Sequence, residues 1–163
     1  MESDNNKGLN GLEAALGKPR YYIDAPDKLP GENYYWFPNV GDSMTDNTPG
    51  SIPGGSLTLG RLLTVDNITE IPLHRPMVFI IEYKGEQFCL LKSPAGTRAI
   101  DTTDENTGSA ALCLRSYHPG PGYDDLWVPF QNIRYIFVVE RVRRPNGTEF
   151  VPEEKEVTRI KNK

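Results

Sequence analysis

The chain has 163 residues, 37% hydrophobic and 25% charged, with a formal net charge of -4. That supports one globular domain with one core, and an acidic balance excludes a general phosphate-backbone binder. No run approaches the roughly 20 apolar residues of a membrane span, and residues 1–7 lack the apolar region of a secretory signal, so a cytoplasmic protein is expected.

In chain order, residues 1–33 are polar and rich in Gly and Pro. They read as an arm over the surface, with Arg20-Tyr21-Tyr22-Ile23 as its candidate strand. Residues 34–40, Tyr-Tyr-Trp-Phe-Pro-Asn-Val, form the first convincing strand. Gly41-Asp42-Ser43-Met44 then turns the chain, and residues 45–55 are a loop crowded with turn formers. Residues 56–62 alternate polar and apolar, a half-buried strand. Residues 64–76 are a connection carrying Ile68, Ile71 and Leu73.

Residues 77–83 and 87–92 make the clearest hairpin, turning at Lys84-Gly85-Glu86. Residues 93–109 are polar and read as a mobile loop. Residues 110–117 and 126–128 are further strands, separated by the turn His118-Pro119-Gly120-Pro121-Gly122. Residues 133–142 are the last long strand, read as an apolar edge or sheet face available for dimerisation. Residues 145–163 read as a charged, frayed tail. Short strands, frequent turns and no long helical period predict a mainly β domain over residues 34–144, flanked by an arm at 1–33 and a tail at 145–163.

Cys89 and Cys113 each lie in an apolar run and are expected as buried free thiols, a disulfide being unsupported. With His74 and His118 at scattered spacing they form no metal motif, and no cofactor is expected.

The chemistry is sought at two positions. Gly41 permits a tight turn that a side chain would resist. A Ser just past such a turn can present its hydroxyl beside backbone N–H groups, which suits a nucleophile next to an oxyanion hole at Gly41 and Met44. The plainer reading of Gly41-Asp42-Ser43 is a polar turn after a strand. In the returning hairpin strand, Phe88, Leu90 and Lys92 share a face by alternation. Two apolar neighbours on that face aim Lys92 toward the core side. A desolvated Lys gives up its proton more readily and can act as general base to a Ser hydroxyl. The plainer reading is a solvated Lys at a strand end with its stem lying on apolar surface.

The order Gly41-Asp42-Ser43-Met44, then Ile52-Pro53-Gly54-Gly55-Ser56-Leu57-Thr58-Leu59, then a hairpin ending in Lys92, resembles the LexA-like serine peptidase domain of LexA-type and phage repressors and the UmuD mutagenesis protein. Leu114-Arg115-Ser116-Tyr117-His118-Pro119 and Ile133-Arg134-Tyr135-Ile136-Phe137-Val138-Val139 resemble the C-terminal strands of repressor-like members. The resemblance covers roughly residues 20–144. It implies a twisted sheet or partly open barrel with few short helices, Ser43 as nucleophile and Lys92 as base. It further implies self-cleavage of an N-terminal linker, homodimerisation, and a recombinase filament as a trigger.

The chain departs from the pattern in several places. Gly55-Ser56 stands where many members have Gly-Asp. The loop after Ser43 carries extra Pro and Gly, and Pro94 closely follows Lys92. The upstream dipeptide in the position of the cleaved bond is Lys7-Gly8, without the small apolar residue before Gly that members carry. Only 33 residues precede the domain, too few for a helix-turn-helix unit, so direct DNA reading is not expected. The competing reading is the same fold as a non-catalytic dimerisation module. A signal peptidase shares the dyad but needs a membrane anchor.

Overall fold

The computed structural model describes residues 33–99 and 110–157. It is an open antiparallel sheet of eight strands: β1 (Tyr34–Pro38), β2 (Leu57–Leu63), β3 (Met77–Tyr83), β4 (Glu86–Ala99), β5 (Ala110–Arg115), β6 (Leu126–Pro129), β7 (Ile133–Arg143) and β8 (Glu149–Phe150). The only helices among the described residues are single 3-10 turns at Ile68–Glu70 and Phe130–Asn132. The mainly β expectation is met.

The strands follow the order β1-β2-β7-β3-β4-β5-β6, with β8 on β7. The hairpin of β3 and β4 pairs Met77 with Lys92 at one end and Tyr83 with Glu86 at the other. Its turn places Lys84 at φ 53 and Gly85 at φ 80. Two positive φ values give the primed turn whose twist matches the flanking strands.

Met77, Val78, Phe79, Ile80 and Ile81 of β3 are all buried, so the run is consecutively apolar rather than alternating. Both faces of this part of the sheet are covered. Val78 and Ile80 join Phe37, Met44, Ile52, Leu91, Tyr117, Phe137 and Val139 in one core. Met77, Phe79 and Ile81 join Leu112, Leu114, Val128, Ile136 and Val138 in the other. In the first core the Phe37 and Phe137 rings lie 4.7 Å apart between centroids.

Several expectations are corrected. The long strand β7 is not an edge: it pairs with β2 along one side and with β3 along the other. Its apolar residues are buried because they build both cores, and they offer no strand edge for a dimer. Residues 93–99 are not a loop. β4 continues through them and pairs with β5, with a bulge between Pro94 and Gly96. Pro94 does not stop the strand because a bulge tolerates a residue that cannot donate to the ladder. The rest of that predicted loop, residues 100–109, lies outside the described residues. Residues 149–157 are not frayed: β8 pairs Phe150 with Val142, and Val157 packs on the first core. The thiols are both free, but only Cys113 is buried. Cys89 is exposed because, among the described residues, this half of β4 pairs only with β3.

Candidate functional site

The segment between β1 and β2 is built as a frame around Ser43. Asn39, 8% exposed, anchors it. Its N–H donates to the Ser56 carbonyl at 2.8 Å, its carbonyl accepts from Gly55 N–H at 2.8 Å, and its side chain donates to the Ile52 and Pro53 carbonyls. Gly41 has φ 93, a left-handed value that favours glycine. Gly54 faces it so closely that a Cβ there would lie 2.9 Å from the Gly41 carbonyl oxygen. Met44 is fully buried and pulls the turn onto the first core. Its carbonyl accepts from Ile52 N–H at 2.8 Å. The Ser43 carbonyl accepts from His118 N–H at 2.9 Å, which ties the turn to the segment after β5.

Ser43 and Lys92 line one cavity of about 320 Å³. Its walls come from the end of β1 and the residues beyond it (Trp36 to Val40), from Thr58 and Val78, and from Cys89 to Lys92 of β4. These walls bring together residues 49 positions apart in sequence (43 and 92). Val40, which lines the cavity, is 90% exposed, and Phe88, the sequence neighbour of the cavity residue Cys89, is 42% exposed. The expected sharing of a core face by Phe88, Leu90 and Lys92 is thus only partly realised. Leu90 packs toward the second core, Leu91 is buried in the first, and Phe88 faces solvent near the hairpin end.

Sequence reasoning missed Ser116. This Ser is fully buried, and its Oγ accepts a hydrogen bond from Lys92 Nζ at 2.8 Å. A signal existed: Leu112 and Leu114 alternate onto an apolar face, so a hydroxyl two positions later on that face is a polar outlier. Next to it, Tyr117 is 4% exposed and shares a side-chain hydrogen bond with Ser93, the neighbour of Lys92. Burial pushes the Tyr117 phenol up to about 12, helped by the charge of Asp46 and opposed by the Ser93 hydrogen bond. Lys92-Ser93 and Ser116-Tyr117 thus meet as two side-chain pairs across the junction of β4 and β5.

No family model, no curated protein and no solved structure matches this chain. The site therefore stands on its own geometry. Lys7 and Gly8 lie outside the described residues. Among the described residues, no three His, Cys, Asp or Glu side chains gather as a metal site, and no helix is long and apolar enough to cross a membrane. What the arrangement offers chemically is a hydroxyl on a constrained turn and a primary amine held by a buried hydroxyl, both on one cavity with partly apolar walls.

Proposed function

We propose that this domain is a Ser-Lys peptidase of the LexA-like kind, acting on a polypeptide segment that enters the cavity between β1 and β4, the chain's own N-terminal segment being the substrate. The observation that supports this reading most is the meeting of Ser43 and Lys92 on one cavity. In the reaction, the neutral Lys92 amine takes the Ser43 proton as Oγ attacks the scissile carbonyl carbon. The resulting oxyanion is held by backbone N–H groups around Gly41 and Met44. Collapse breaks the C–N bond, and the ammonium returns its proton to the departing amine. Water then hydrolyses the acyl-Ser43 ester, with Lys92 again as base. A regulator cut in this way fits an SOS or prophage switch.

The test is incubation of the full chain at pH 7 and pH 10 with its mass followed over time. Self-cleavage is expected, faster at pH 10. Ser43→Ala removes the nucleophile and Lys92→Arg keeps a guanidinium protonated, so both should slow cleavage by roughly 10³-fold or more. Cleavage that survives Ser43→Ala would sink the reading.

One observation favours a second reading, an inert dimerisation module. Lys92 donates to Ser116, a hydroxyl that competes with Ser43 for the amine. On that reading the wild type stays intact at pH 10. It is a homodimer by light scattering, built on β1 or β6, the outer strands of the sheet among the described residues.

A further inference from the structure

Between Met44 and Ile52, both buried in the first core, the chain makes an excursion whose residues 47–49 are exposed, and two cations from later in the chain grip it. Lys155 Nζ donates to Asp46 Oδ2 at 2.7 Å and to Thr48 Oγ1 at 2.8 Å. The Asp46 side chain is only 12% exposed at this pair. Arg144 donates to the carbonyls of Pro49 and Ser51. Within the loop, Asp46 N–H donates to Ser51 Oγ at 2.9 Å and Thr48 N–H to Asp46 Oδ1 at 3.1 Å. The cations thus hold a folded-up loop rather than a loose strand of chain.

Residues 151–157, which carry Lys155, are themselves tied down. Lys155 N–H donates to the His74 carbonyl at 2.6 Å, and Arg115 donates to the Val157 carbonyl at 2.9 Å while pairing with Asp125 through Nε and Nη2. The Lys155 ammonium also lies 4.3 Å from the centre of the Tyr117 ring. From Tyr117 the path to the site is one residue in each direction. Ser116 holds Lys92, and His118 N–H holds the Ser43 carbonyl. One strap therefore touches the Ser43 loop directly and the Lys92 side through Tyr117.

We infer that Lys155, with Asp46 as its anchor, is a positioning residue: the C-terminal strap fixes the Ser43 loop relative to Lys92 and so sets the rate of the reaction. The inference rests on the peptidase reading for its rate effect, but not for its structural half. Lys155 touches no reacting atom in this scheme. It acts by keeping Ser43 Oγ and the Lys92 amine in register, and a misplacement of about 1 Å between reacting groups can cost on the order of 10²-fold.

The experiment uses the full chain with Lys155→Met, which keeps the stem and removes the charge, and Lys155→Arg, which restores a cation. Amide hydrogen exchange of residues 43–52 is read beside that of the β3–β4 hairpin, and self-cleavage is followed from pH 7 to pH 10. Lys155→Met should speed exchange in residues 43–52 at least about tenfold and leave the hairpin unchanged. Its cleavage rate should fall between roughly tenfold and a hundredfold at each pH. Lys155→Arg should recover most of both. Exchange in residues 43–52 equal to wild type overturns the inference, and so does faster exchange with an unaltered cleavage rate. A uniform rise in exchange across the hairpin means general destabilisation and overturns it too. A wild type that never cleaves retires the peptidase reading instead, and the exchange data then decide the strap alone.

Discussion

Lys92 donates to Ser116 Oγ at 2.8 Å, and that bond orients the amine. Ser116→Ala should therefore slow self-cleavage by roughly tenfold or more, because the amine is less well aimed. A rate equal to wild type would contradict the role given to Ser116. At Asp46, burial alone raises the carboxyl, but hydrogen bonds from Lys155 and Thr48 outweigh it and leave it below its usual 3.8. A depressed carboxyl adds stability above its unfolded value and loses it as pH falls through the folded one. Acid should thus loosen the loop below about pH 4. The groups facing Asp46 are the Lys155 ammonium and the neutral Tyr117 phenol, so the lost attraction is to Lys155. Asp46→Asn should be less stable than wild type at pH 7 and show a flatter acid limb in thermal melts. Gly41 and Ser43 were legible in the sequence because turn chemistry is a local signal, whereas Lys92 was read as a strand end although β4 runs on to Ala99. Ser116 and Lys155 were not, because their partners lie 24 and 109 residues away. Cys89 was misplaced because its apolar neighbours say nothing about which half of a strand lacks a second partner.

Among the elements, the β3–β4 hairpin was readable nearly to the residue, since apolar runs on both sides of Lys84-Gly85 fix its register. Its turn yields a direct test. Lys84 adopts φ 53, which Asn tolerates better than Lys. Lys84→Asn should stabilise the domain by about 0.5 kcal/mol or more in urea denaturation without touching the cavity. A loss of stability would mean that the turn is not the primed type. The second half of β4 was hidden by its own composition. Ser93, Pro94 and Gly96 read as loop, yet pairing with β5 and a bulge absorb all three. That extension matters to the site, since it carries Ser93 to Tyr117 and sets the β4–β5 junction on which Ser116 meets Lys92. The tail was misread for a similar reason. Charged residues suggested solvent, but the charge of Lys155 is spent on the loop beside Ser43.

Across the whole molecule, the mainly β class followed from turn spacing alone, whereas the order β1-β2-β7-β3-β4 depends on pairings between distant segments that local patterns do not encode. That order folds the first core around Tyr117, and the core's weak point in base lies there. The Tyr117 phenol is held up to about 12, first by burial and then by the Asp46 carboxylate, against 10.0 when unfolded. A neutral phenol favoured by the fold adds stability that is fully present below the unfolded value and is lost as pH rises from about 10 through about 12. Cleavage that depends on a neutral Lys92 should climb with pH, so the two trends oppose each other. The rate should rise, pass a maximum and fall as the domain loosens around Tyr117. Tyr117→Phe keeps the ring beneath Lys155 and within the core but cannot ionise. It should remove the alkaline fall in both cleavage and thermal stability, at a cost of about 1 kcal/mol at pH 7 for the lost hydrogen bond to Ser93. The check is a melting temperature series from pH 7 to pH 12 for wild type and Tyr117→Phe, run beside the cleavage assay. Parallel alkaline losses in the two proteins would assign the weak point to another group and leave the rising limb as the only pH signature of the site.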